Sequence, residues 1–509
     1  MHGMRGRRGG TSVSRNSWVA ARALALALSV VVSAGGVGCG SVAGKISGAG
    51  GGTGGIGTGG GSGLGGSGGG VGGSGGAGGV GDASVGQDAG TGGAPIVDAA
   101  DGSDSPSSAT ITAVSLTDIN VFAAPAATFT KVPYVTELFD DANEFDTTTN
   151  RFTAAAAGDY QICASLTSSP DLTHPFELDL YINGTRENSI GGIGGHGFEQ
   201  GCRVVRLAAS DYVEVWVYPE SPGAAVMFAK NSLWNWLTIS KVKATASVRD
   251  ITTFAAATAT FTKVPFATKV YDDQSQFDVA NSRFTAAGAG DYEVCASLTS
   301  SPDLTHPFEL DLYVNGARED AFAGEVGGGN GFEHGCRVVR LAAGSFAEVW
   351  VLQSSGAAMT FAPNTYWNWL TVTKLPTTVS LDDASAFPAA SGVFTKVPYI
   401  SKLFDDSTQF DTGTSRFMAA DSGDYLICAS LTSYPNSSIL SFELDLYING
   451  ARSTAFAGNG ANGFQHGCRL ARLVAGNYVE VWAYQASGAA VSFSQNSFGN
   501  WLTVSKVRP

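Results

Sequence analysis

Polar and apolar residues alternate with a period of two over short runs in the second part of this 509-residue chain. In Gly158 to Ser168, the apolar Tyr160, Ile162, Ala164 and Leu166 alternate with Gln161, Cys163 and Ser165. In Phe176 to Ile182, Phe176, Leu178, Leu180 and Ile182 oppose Glu177, Asp179 and Tyr181. Val213, Val215 and Val217 oppose Tyr212, Glu214, Trp216 and Tyr218. Successive strand side chains point to opposite faces, so this pattern, punctuated by Gly, Pro, Asn and Asp, predicts antiparallel β-structure. No window has a helical period. The runs predict eight to ten short strands per unit and a two-sheet sandwich or jelly roll.

The pattern is written three times. RFTAAAAGDY at Arg151–Tyr160 returns as RFTAAGAGDY at Arg283–Tyr292 and RFMAADSGDY at Arg416–Tyr425. Each copy continues through an Asn-Gly (Asn183-Gly184, Asn315-Gly316, Asn449-Gly450), a Gly-Cys-Arg and an Asn-Trp-Leu. Repeats of about 130 residues are too long for solenoid units or propeller blades and long enough to bury a core, which predicts tandem domains. Their expected bounds are 111–243, 244–376 and 377–509.

The face opposite the valines carries Trp216, with Trp350 and Trp482 at the same place in the later copies. Aliphatics on one face and large aromatics on the other predict a strand covered on both sides. These three tryptophans are therefore expected to face inward and pack the repeats against one another.

The first part of the chain reads differently. Arg5, Arg7, Arg8, Arg15 and Arg22 precede an apolar stretch from Ala23 to Ala34, the layout of a signal peptide over residues 1–38. Gly-Val-Gly-Cys ending at Cys39 resembles a bacterial lipobox, although Gly36 stands where Leu is usual; this implies lipidation of Cys39. Ordinary cleavage near Ala34, leaving a free thiol, is the alternative. Residues 39–110 are Gly-rich and cannot bury enough apolar surface to offset chain entropy, which predicts a disordered tether. Gly does not keep every third place, so a collagen stalk is excluded. About 70 such residues reach roughly 45 Å. The expected location is the cell surface or outer membrane by a lipid anchor, or otherwise secretion.

Charge narrows the partners. The 44 acidic residues exceed the 30 basic ones, and five of the basic ones fall in the predicted signal. Nucleic acid and anionic lipid heads repel such a chain. Any membrane contact is expected through the N-terminal lipid alone. Two cysteines recur in each copy, Cys163 and Cys202, Cys295 and Cys336, Cys428 and Cys468. In an exported chain this predicts one disulfide per repeat.

The RFTA…GDY segment, the strand ending in Asn-Gly, the Leu207–Trp216 run and the closing Trp236–Lys241 run together resemble the globular domain of complement C1q, and more distantly the tumour necrosis factor fold. The resemblance covers about 400 residues. It implies a ten-stranded jelly roll that assembles about a threefold axis, here as a pseudo-trimer within one chain. It also raises calcium as a cofactor, with Asp140, Asp141, Asp146, Asp272, Asp273, Asp278, Asp405, Asp406 and Asp411 as candidate ligands. Asp residues that close turns through their own backbone are the alternative.

No catalytic constellation is present. His174 and His306 have no counterpart in the third copy, and His334 and His466 are replaced by Gln200 in the first. No Ser of the three repeats lies in a Gly-X-Ser-X-Gly turn. The reading is a binding or adhesion protein toward an extracellular protein or glycan, with a structural coat protein as alternative and an enzyme a distant third. The loops Asn188–His196 and Asp320–Asn330 diverge between copies, as recognition loops do.

Overall fold

The computed structural model describes residues 113–192, 197–220, 223, 225–301, 304–324, 331–433, 441–458 and 463–508. The predicted signal, Cys39, the 39–110 tether and parts of the diverging loops lie outside the described residues. Every described element is a strand. In the first copy they are β1 (Ala113–Ile119), β2 (Phe122–Ala124), β3 (Thr130–Lys131), β4 (Tyr134–Asp140), β5 (Phe145–Asp146), β6 (Arg151–Thr153), β7 (Gly158–Thr167), β8 (Phe176–Ile182), β9 (Thr185–Gly191), β10 (Phe198–Leu207), β11 (Tyr212–Pro219), β12 (Val226–Phe228) and β13 (Trp236–Val242). The same series recurs twice more, from Ala244 to Leu375 and from Thr377 to Arg508. The described residues thus hold thirteen strands per copy, where eight to ten were expected. The excess consists of runs of two or three residues, too short for alternation to register.

All pairings are antiparallel. One sheet has the order β10-β7-β13-β1-β4; the other has β5-β6-β11-β8-β9, with β3 also on β11. A small β12-β2 ribbon completes the set, and the later copies repeat all three sheets. Only Lys243 separates β13 from the next strand, Ala244–Ile251. Asn183 and Gly184 both have positive φ (51° and 75°), the type I′ turn that matches strand twist in a two-residue hairpin.

Tyr160, Ile162, Ala164 and Leu166 enter the core of the first copy, as their alternation predicts. Their polar neighbours are not exposed: β7 is buried from Asp159 to Thr167. The second face of this sheet is covered by the other copies, and Cys163, Cys202 and Trp236 pack into the core that runs through copies two and three. The described residues accordingly form one compact unit.

Candidate functional site

The contacts between copies run in one direction and close on themselves. The indole of Trp369 in the second copy donates to the Ser189 carbonyl of the first at 3.0 Å. Trp501 donates to Ala321 at 3.1 Å, and Trp236 returns from the first copy to Ala455 of the third at 3.0 Å. Backbone bonds follow the same path: Ser189 N–H to Tyr366 O, Ala321 N–H to Phe498 O, and Ala455 N–H to Leu233 O. A guanidinium covers each indole, with Arg203 4.3 Å from the Trp369 ring, Arg337 4.8 Å from Trp501 and Arg469 4.7 Å from Trp236. Burial pushes Arg203 down to about 10 and Arg469 to about 9. Arg337 has a buried acid beside it, Asp320 at 2.5 Å.

These contacts explain the Gly-Cys-Arg triplet. A Cβ on Gly201, Gly335 or Gly467 would fall 1.6, 2.0 or 1.8 Å from the carbonyl oxygen of Ile190, Phe322 or Phe456, so only glycine fits beneath the neighbouring strand. The cysteine that follows forms the disulfide of its own copy: Cys163–Cys202, Cys295–Cys336 and Cys428–Cys468, each across directly opposed residues of β7 and β10 or their counterparts. The arginine then reaches the next copy's tryptophan. The closing Asn-Trp-Leu has a parallel logic: Asn235 accepts from Thr167 N–H and donates to Ala229 O, fixing the turn that delivers Trp236.

Trp216, Trp350 and Trp482 are placed elsewhere, which corrects the expectation that they turn inward. β11 belongs to the other sheet, and these indoles are half-buried on its far face. Trp216 stacks on Tyr181 at 4.9 Å and donates to Glu214; Phe129 and Tyr218 extend the cluster. Trp350 packs on Tyr313 at 4.7 Å and Trp482 on Tyr447 at 4.9 Å. Burial opposes the charge on Glu214, but bonds from Arg151, Lys131 and Trp216 hold its carboxyl below the usual range. The cluster touches the next copy only at its margin, where Arg186 lies between Phe129 and Tyr366. The sequence reading missed Trp236, Trp369 and Trp501, although their presence in every copy and their place in an already apolar strand were visible signals.

The nine aspartates divide among three tasks. Asp140 accepts three backbone N–H bonds, and Asp272 and Asp405 two each, from the turn that follows. Asp146, Asp278 and Asp411 close the next turn, and bonds from Thr149, Asn281 and Thr414 lower their carboxyls. Asp273, Asp406 and Asp141 pair with Arg206, Arg340 and Arg472 of the preceding copy. Among the described residues, the groups of acidic, His or Cys side chains that converge closely enough for a metal are Glu293 with disulfide-bonded cysteines, and none contains these aspartates. The calcium role implied by the resemblance thus finds no converging set here.

At the centre, Gln161 donates to both oxygens of buried Glu293 at 3.0 and 2.9 Å. Burial raises the Glu293 carboxyl to about 7, partly offset by that bond. The three disulfides fit an oxidising compartment. No described helix is long and apolar enough to cross a membrane.

No protein-family model matches the chain. An uncharacterised Bacillus subtilis (strain 168) protein, YqcC, is 31% identical over 99 residues, 18% of this chain and 27% of the relative. The chain thus spans about a quarter of that protein's length. Among solved structures, murine APRIL is similar at 13% identity and a TM-score of 0.21, over 26% of this chain and 98% of that one. The ANX2 ectodomain of Arabidopsis thaliana is similar at 10% identity and a TM-score of 0.16, over 50% and 88%.

Proposed function

We propose that this chain is an exported, surface-anchored binding protein whose three C1q-like jelly-roll copies act as one pseudo-trimeric head toward a glycan or protein ligand. The observation that carries the reading is the repetition of one outward aromatic face. Trp216 with Tyr181, Trp350 with Tyr313, and Trp482 with Tyr447 recur with the same supporting glutamate. Half-buried indoles offer apolar area and a polar edge at little entropy cost. Three equivalent faces on one rigid unit gain avidity when the ligand is itself repeated. A structural coat role does not require half-exposed aromatics to recur.

The test is binding of the full chain to arrayed glycans and to surface-protein extracts, beside the triple variant W216A/W350A/W482A. Saturable binding that the variant loses supports the reading. Silence of the folded wild-type chain on every surface favours the coat role. Binding that persists in the variant moves the site away from the aromatic face.

A further inference from the structure

Gln200, His334 and His466 occupy the same level of β10 and its two counterparts, Phe332–Leu341 and Phe464–Leu473. They link the copies in a ring. Gln200 Nε2 donates to the His466 backbone oxygen at 2.9 Å. The His466 ring faces the backbone of His334, and the His334 ring faces that of Gln200. The imidazoles meet edge to face, with centroids 5.6 Å apart, and both Nε2 atoms are sealed from solvent. His334 Nε2 lies 2.6 Å from where a Cβ on Gly201 would stand, so the ring sits directly on the first copy's backbone.

We propose that this ring is an acid-operated latch: protonation of His334 and His466 loosens the contact among the three copies while each copy stays folded around its disulfide.

Two imidazolium ions at this separation repel, and the Nε2 atoms, inaccessible to solvent although the two residues are half-buried, have no water to solvate a charge there. The charged groups on the surrounding strands are Glu199, Arg203 and Arg206 on β10, Glu333, Arg337 and Arg340 on Phe332–Leu341, Arg469 and Arg472 on Phe464–Leu473, Arg318, Glu319 and Asp320 on Ala317–Gly324, and Asp291 and Glu293 on Gly290–Thr299. Asp320 pairs with Arg337, Glu293 with Gln161 and Asp291 with Arg340. Burial lowers His334 to about 4, and burial together with His334 lowers His466 to about 3. The sign follows. A base whose closed-state pKa lies below its free value of 6.5 favours the closed form fully above 6.5 and opposes it increasingly below. With both groups titrating, the open-to-closed ratio rises by up to ~100-fold per pH unit.

The first copy supplies the control, because Gln200 holds the same place without titrating. The full chain and its H334Q/H466Q variant would be compared by small-angle scattering and near-ultraviolet dichroism from about pH 7.5 to about pH 4.5. The wild type is expected to expand below about pH 6, and the variant to stay compact at least one pH unit lower. Coincident profiles, or a wild type that stays compact throughout, would overturn the proposal. A variant that fails to fold leaves a second measurement, histidine NMR on the wild type with H334Q and H466Q singly for assignment. Both signals should stay silent until expansion begins; titration near the free value in a compact chain would refute the latch.

Discussion

Arg472 and Asp141, 331 residues apart, are joined by both terminal guanidinium nitrogens at 2.9 and 2.7 Å. The same guanidinium is held in its own copy by Asp424 and lies 3.9 Å from the Phe139 ring. Arg206 repeats this with Asp159, Asp273 and Tyr271, and Arg340 with Asp291, Asp406 and Phe404. Each arginine thus reads the second residue of the next copy's Asp-Asp pair, and the third copy reads the first.

These pairs are partly exposed, with Arg472 at 38% and Asp141 at 27%, so screening limits their worth. R472A should cost about 1 kcal/mol or less, and the triple variant R206A/R340A/R472A up to roughly three times that, because the seams are well separated. Chemical denaturation at low and high salt checks this. The difference from wild type should shrink as salt rises.

The tryptophans rank the other way from the sequence expectation. Trp236, Trp369 and Trp501 are fully buried and bonded across a seam, so each change to Ala should cost ~3–5 kcal/mol. Trp216→Ala removes a half-buried stack and should cost about 1–2 kcal/mol. Denaturant midpoints for W236A and W216A decide between them. Equal losses would place Trp216 in the load of the seam after all.

The strands, the turn chemistry and the threefold recurrence were legible because they are local. Period-two runs, Asn-Gly hairpins and paired cysteines each declare themselves within a few residues. The seam was not legible for a physical reason. A strand buried on both faces by its own kind shows no polar side, and Gln161, Cys163 and Ser165 looked like the solvent face of β7. The aromatic face at Trp216 looked like the stronger candidate for burial, yet its rings largely cover one another. Of each Asp-Asp pair, the first carboxylate closes a turn, as the turn reading of these residues expects, while its neighbour crosses to another copy. Sequence spacing cannot separate those two tasks.

Each disulfide closes a segment of 39 to 41 residues, which in the chain-entropy account stabilises by roughly 3–4 kcal/mol. C295A/C336A should lower the melting temperature by several degrees while leaving the other two bonds intact by mass spectrometry. An unchanged melting temperature would mean that packing of the seam, not the covalent link, sets the stability of that copy.

Glu293 is a carboxyl at the place where the first copy has Gln161 and the third has Leu426. Its folded-state pKa, raised by burial to about 7, lies above the ordinary 4.5, so the folded form holds its proton longer than the unfolded chain does. The contribution is therefore greatest at or below pH 4.5 and is lost as pH rises toward about 7, on the order of 2–3 kcal/mol. E293Q removes the titrating group and keeps an amide that can bond Gln161. It should melt higher than wild type at about pH 8 and close to it at about pH 5. This trend runs opposite to that of His334 and His466, which favour the closed form toward neutral pH. A wild-type stability curve from about pH 5 to about pH 8 should thus steepen on its acid side in E293Q, where the histidines act unopposed. If E293Q instead loses stability equally at both pH values, the carboxylate is needed as a charged acceptor for Gln161, and burial is not what governs it.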